Sequence, residues 1–186
     1  MKNGMHLEAD GCKVWYKNNE LHREDGPAIE RADGDKYWYV NGVLHREDAP
    51  AIEHINGTKH WYFNGMHHRE DGPAIEYADG DKYWYINDKQ HREDGPAVIK
   101  NNGSKRWLIN GKQHRIDGPA VEYADGDKEW WLNGELHRED GPAVERINGS
   151  KEWYLSGKRH PLNDLAIQAM NAEIAITVIN RKESNI

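Results

Sequence analysis

A 23-residue unit repeats six times without insertion from His22 to Arg159, and this constrains the fold more than any other property of the chain. The copies open at His22, His45, His68, His91, His114 and His137. A partial copy from Leu7 to Leu21 precedes them, and a further opening at His160 ends at once with Pro161. One such unit cannot bury its own apolar residues, so neighbours must stack and the ends must be covered. The expected organisation is a partial capping repeat over 1–21, a six-repeat β domain over 22–159 and a C-terminal segment over 160–186.

Each repeat holds two strand candidates. In the first copy these are Pro27 to Arg31 and Lys36 to Val40. Asp33-Gly34 lies between them, and Asn41-Gly42 follows the second. Such dipeptides are strong hairpin signals, because both central residues of a type I′ turn need positive φ. Alternation along the second strand puts Trp38 and Val40 on one face and Tyr37 and Tyr39 on the other. Three columns run through the repeats: Trp (Trp15 to Trp153), the residue two later (Val40 to Leu155) and the first-strand Ile/Val (Ile29 to Val144). They are expected to form one buried stripe. The fold class is thus all-β, an elongated solenoid-like sheet of stacked hairpins. A closed prism or propeller-like arrangement is the alternative, although three 46-residue pairs are few for a propeller.

The repeats are not equivalent. Odd copies carry Ala-Asp-Gly-Asp at the turn, and even copies carry Asn-Gly-Thr or Asn-Gly-Ser. Odd copies sum to a charge of −9 and even copies to +3. The fourth copy departs most, with Ile99 and Lys100 at its first strand and Arg106 and Leu108 flanking Trp107. After Arg159 the character changes. Asn163 or Asp164 can cap a helix running on from Leu165. Apolar residues occupy two of its faces, so it is expected to be buried, as a cap and as a homodimer contact.

Mean hydropathy is −1.04 and 31% of residues are charged, values that alone would suggest disorder. Eight Trp and nine Tyr kept in register argue for a fold. The single cysteine, Cys12, allows no intrachain disulfide and fits a reducing, cytoplasmic setting. No window has the ~18 apolar residues of a spanning helix. The net charge of −7 disfavours a general nucleic-acid binder.

The histidine column would space its side chains roughly 10 Å apart, too far for adjacent copies to share a metal. Its expected role is to tie the loop down, for example His22 to Asp25. The arginine column (Arg23 to Arg138) is expected to pair with neighbouring Glu and Asp. Ile116 replaces one of these carboxylates, leaving Arg115 less compensated. No catalytic constellation emerges: no G-x-S-x-G occurs, and no carboxylate pair is unique. An enzyme is not expected, nor a cofactor or a metal.

The run Trp38-Tyr39-Val40-Asn41-Gly42-Val43-Leu44-His45-Arg46, at its 23-residue period, resembles the MORN repeat family, in its divergent bacterial and viral form. The resemblance covers Leu7 to His160, about four-fifths of the chain. It implies stacked hairpins used as a protein-binding or oligomerising scaffold. It also implies a phage, viral or bacterial origin, with a host defence protein as a possible target and the host cytoplasm as location. The leading functional expectation is a non-enzymatic interaction module or inhibitor. The alternative is a small-anion or nucleotide-signal sponge built on Arg columns beside aromatic rings. Specificity must come from positions that vary between copies and from outward aromatics. The candidate partner-binding residues are Tyr37, Tyr39, Tyr83, Tyr85, Ile99, Lys100, Arg106, Leu108, Arg115 and Trp131.

Overall fold

The computed structural model describes residues 1–161. Every regular element among them is a β-strand. The helix expected beyond Asn163, and the dimer contact assigned to it, lie outside the described residues. Two compact units are present: Met1–Asn102 with Leu108–Gly111, and Gly103–Trp107 with the chain from Lys112 onward.

In the first unit, strands Gly4–Leu7 and Lys13–Lys17 open an antiparallel sheet. The sheet continues through Ile29–Glu30, Lys36–Tyr37, Ile52–Glu53, Lys59–His60, Ile75–Glu76, Lys82–Tyr83 and Val98–Ile99. In the second unit a ladder of the same design runs through Lys105–Arg106, Val121–Glu122, Lys128–Glu129, Val144–Glu145 and Lys151–Leu155 to Lys158–His160. Strand order is linear in each unit and never returns to its first strand, which sets the closed alternative aside.

The predicted second strand is interrupted at its tryptophan. Lys36–Tyr37 belongs to the main sheet, whereas Tyr39–Val40 turns away and pairs with Val43–Leu44. Trp38 is the corner: its N–H donates to the Ala51 carbonyl at 2.8 Å, and its carbonyl accepts the His45 N–H at 3.1 Å. Each of the first five repeats therefore contributes two strands to the ladder and a separate hairpin of two short strands, whereas in the sixth Lys151–Leu155 runs unbroken through Trp153. Those hairpins are linked in turn, since the Gly42 N–H reaches the Leu21 carbonyl and the Gly65 N–H the Leu44 carbonyl.

The two turns also differ. Asn41 and Gly42 both have positive φ, 49° and 77°, the type I′ pattern that Asn-Gly predicts. At Asp33-Gly34 only Gly34 does, at 103°. There the Gly34 N–H donates to the Arg31 carbonyl at 3.0 Å and the Arg31 N–H to the Asp35 carbonyl at 2.9 Å. That is a three-residue loop, a type I turn followed by a left-handed glycine, and the Asp33 carboxylate accepts the Asp35 N–H inside it.

The expected single stripe of Trp, Val/Leu and Ile/Val columns is not what forms. Register pairs Ile29 with Tyr37 and Tyr37 with Ile52, so the Ile/Val column shares a face with the tyrosines. The tryptophans lie with Glu30 and Lys36 on the opposite face and stay half-buried. Of the column two residues on, Phe63 is exposed. The alanine column Ala28, Ala51, Ala74, Ala97, Ala120 and Ala143 has no exposed surface. The largest side chain buried to that degree is Val121. The core is consequently thin. In one cluster Ala97, Val98 and Leu108 meet, with Tyr83 and Trp84 packed on them.

Candidate interaction surface

The tryptophan face carries an ordered cationic row. Each guanidinium from Arg23 to Arg138 lies 3.9–4.3 Å from the ring of the tryptophan eight residues before it. In the regular copies it holds three further partners. Arg69, for example, donates to Asp71 at 2.8 Å, to the Pro73 carbonyl at 3.2 Å and to Glu76 at 3.3 Å. The glycine in this loop is needed for close approach, not for backbone freedom. A Cβ on Gly72 would lie 2.7 Å from the Arg69 guanidinium carbon. The second copy has Ala49 at this position, and there Arg46 keeps Pro50 and Glu53 but makes no bond to Asp48.

The fifth copy corrects one expectation. Arg115 is fully paired, with Asp117 at 3.0 Å and Glu122 at 3.2 Å. The carboxylate that Ile116 replaces faces the histidine in the other copies, as in His22 with Glu24 at 3.1 Å. The loop-tying role of the histidines is real, but the partner differs from the expected aspartate. His22 Nδ1 accepts the Asn41 N–H of the next hairpin, and Asp25 is taken by Arg23. A cleft between successive loops on this face is lined by Arg46, Trp61, Phe63, His68 and Arg69, and the second unit repeats it at Arg115, Trp130, Leu132, His137 and Arg138.

The opposite face differs in chemistry between the units. In the first, Tyr37, Tyr39, Tyr83 and Tyr85 are half-buried, and the second copy inserts histidines among them. His60 is the centre, with ring centroids 5.8 Å from His54, His67 and Tyr77. His54 Nδ1 meets Asp35 at 2.5 Å and His67 Nδ1 meets Asp88 at 3.2 Å, while His60 Nδ1 is buried without a partner. Lys100 donates to Asp81 at 2.6 Å and to the Tyr83 hydroxyl, and these bonds raise its pKa. In the second unit, Arg106 and Glu129 flank Val121 on this face, and Trp131 Nε1 donates to Glu129 at 2.9 Å. Arg106 is exposed and Trp131 half-buried. Leu108 is buried at 7% exposure, so it is a packing residue and offers a partner nothing. Ile99 lies on the tryptophan face, opposite Lys82.

Sequence reading missed the His54–His60–His67 cluster, although the signal was there: all three sit in the second copy and two of them replace tyrosines of other copies. Burial pushes the His60 pKa down to about 4, with the charges of His67 and His54 adding to it. A folded pKa below the unfolded value of ~6.5 means that the neutral ring supports the fold. That support is complete above about pH 6.5 and is lost as pH falls towards 4. Allowing for solvent access to the ring, the loss is about 1–2 kcal/mol. His60→Phe should therefore flatten the fall in melting temperature between about pH 7 and pH 4.5. An unchanged pH profile would show that His60 is not the group responsible.

Among the described residues, no three His, Cys, Asp or Glu side chains are grouped to hold a metal ion. No helix there is long and apolar enough to cross a membrane. Neither a protein-family model nor a curated protein sequence matches the chain.

Proposed function

We propose that this chain is a non-enzymatic protein-interaction module of MORN-like repeats, and that its partner reads the second unit's face bearing Arg106 and Trp131. The carrying observation is a change of surface on an unchanged scaffold. The column of Tyr37, His60 and Tyr83 becomes Arg106, Glu129 and Glu152, while the Ile/Val ladder beside it stays the same. A rigid scaffold that varies only outward suits recognition, and Arg and Trp are enriched at binding hot spots. The resemblance to viral and bacterial MORN-type chains extends the proposal to an inhibitor acting on a host defence protein. A nucleotide or other anion sponge is the weaker reading, because the arginine column is already occupied by carboxylates and proline carbonyls.

Affinity capture from host lysate, followed by calorimetry on the partner recovered, tests the proposal. Arg106→Glu and Trp131→Ala should each weaken binding by about 1–3 kcal/mol, and Arg106→Glu, at an exposed position, should do so without lowering the melting temperature. Full affinity in both variants would remove this face from the interface.

A further inference from the structure

On the tryptophan face, one position in five of the six repeats holds a glutamate that an arginine of the same copy reaches. Glu30 shows the arrangement: Arg23 reaches it at 3.2 Å and Lys13, its partner across the sheet, at 3.4 Å. Glu53, Glu76, Glu122 and Glu145 occupy the same place, each bonded to the arginine seven residues before it at 2.9–3.3 Å. At this position the fourth copy has Ile99. Lys82 still lies opposite it in the sheet, and Arg92 still sits seven residues before it.

The arginine registers the loss. Arg92 keeps Asp94 at 2.8 Å, but its bond to the Pro96 carbonyl is the longest in the column at 3.4 Å, against 3.0–3.2 Å in the other copies. Its distance to the tryptophan ring, 4.3 Å to Trp84, is also the longest. Asp94 is 83% exposed and so screens its partner weakly, and the Arg92 side chain itself keeps 25% exposure. Arg92 therefore lacks the carboxylate that the other arginines of the column hold, and Lys82 stands in register between Glu76 on one side and an alkyl side chain on the other. The glutamates that fill the place elsewhere are 30–37% exposed, so it is reachable from solvent.

We infer that Arg92 and Lys82 form an open carboxylate seat, which an aspartate or glutamate of an acidic segment on a protein partner fills, with Ile99 packing against that side chain's methylenes. This rests on the protein-interaction reading and adds to it a second contact, on the tryptophan face rather than the face bearing Arg106, together with the chemistry that fills it. The charge logic is local. The chain as a whole carries −7, whereas the fourth copy, His91 to Gln113, is net positive, which makes it the part of the repeat array best suited to an acidic ligand. An arginine that already stacks on an aromatic ring has little freedom left to lose on pairing, which favours a carboxylate ligand over a mobile one.

Titration of the full chain with a hexaglutamate peptide, followed through arginine side-chain NMR signals, tests the seat. The Arg92 signal should move further than those of Arg69 and Arg115, and the effect should shrink as salt is added. Ile99→Glu restores the residue of five other copies, fills the seat from within and should weaken peptide binding roughly tenfold, the weight of one charge-assisted pair. Ile99→Gln, uncharged at similar length, should retain binding. Equal movement of all arginine signals, or undiminished binding in Ile99→Glu, overturns the seat. A captured partner that loses affinity with Arg106→Glu but binds Ile99→Glu as tightly as the native chain overturns this inference and leaves the interaction module standing.

Discussion

Trp61→Ala is expected to cost about 3 kcal/mol, the low end of the range for a large aromatic because this ring is half-buried. The indole is the platform on which Arg69 lies at 4.1 Å, and it forms one wall of the cleft between two loops. Without it, Arg69 keeps Asp71, Glu76 and the Pro73 carbonyl but loses the surface that orients its plane. The stacking contributes on the order of 0.5–2 kcal/mol of that total. The backbone corner survives, because its bonds use the Trp61 N–H and carbonyl. Urea unfolding should thus show a lower midpoint with little change in slope. Trp61→Phe should recover much of the loss. A cost under about 1 kcal/mol would mean that the loop stands on its ion pairs alone.

Ala74→Leu should destabilise by about 1–3 kcal/mol, although it adds apolar surface to a chain with little of it buried. Ala74 has 0% exposure, and its carbonyl accepts the Trp61 N–H at 2.8 Å, so a fully buried residue joins the strand of one copy to the tryptophan corner of the copy before. Extra methylenes there must push the tryptophan corner of one repeat away from the strand of the next. The same change at exposed Ala78, in the same repeat, should be nearly neutral. Calorimetric melting of the two variants separates a packing limit from a general dislike of leucine. Equal melting temperatures would show that the alanine column has room to spare.

Period and turn chemistry made the all-β stacked architecture legible, because period and Asn-Gly turns act over a few residues and need no tertiary information. The layer arrangement was not legible. Alternation was read through Lys36 to Val40 as one strand, and Trp38 turned out to be a corner between two pairings. Alanine was overlooked for a related reason. It has weak strand preference and looks like filler, yet its invariance across Ala28 to Ala143 reports a steric ceiling. Of the candidate site, Arg106 and Trp131 could be found as departures from their columns. Leu108 was a departure too, but one that compensates packing, since a leucine takes the place that Tyr39 or Tyr85 fills elsewhere. The significance of Ile99 needed register: only the pairing with Lys82 and the reach of Arg92 show what its substitution removes.

The alternating turns have a consequence for how such an array can change in length. Asp35 takes the Ile55 N–H with one oxygen and His54 with the other; Asp81 does the same with Asn101 and Lys100, and Asp127 with Ile147 and Arg146. Between these clamps, Thr58 takes only the Ala78 N–H. Each of these aspartates is therefore matched to a cation or imidazole in the copy after it, whereas the copies after Thr58 and Ser104 carry Tyr77 and Tyr123 at that place. Excising the second copy alone would bring Asp35 against Tyr77 and leave the oxygen that faced His54 with the Tyr37 hydroxyl but no cation or imidazole. Excising the second and third together would bring it against Lys100, a fitting partner. A gene of this kind can gain or shed 46 residues and keep every clamp closed, whereas a gain or loss of 23 breaks one. By its turn contacts, an array of this design counts in twos.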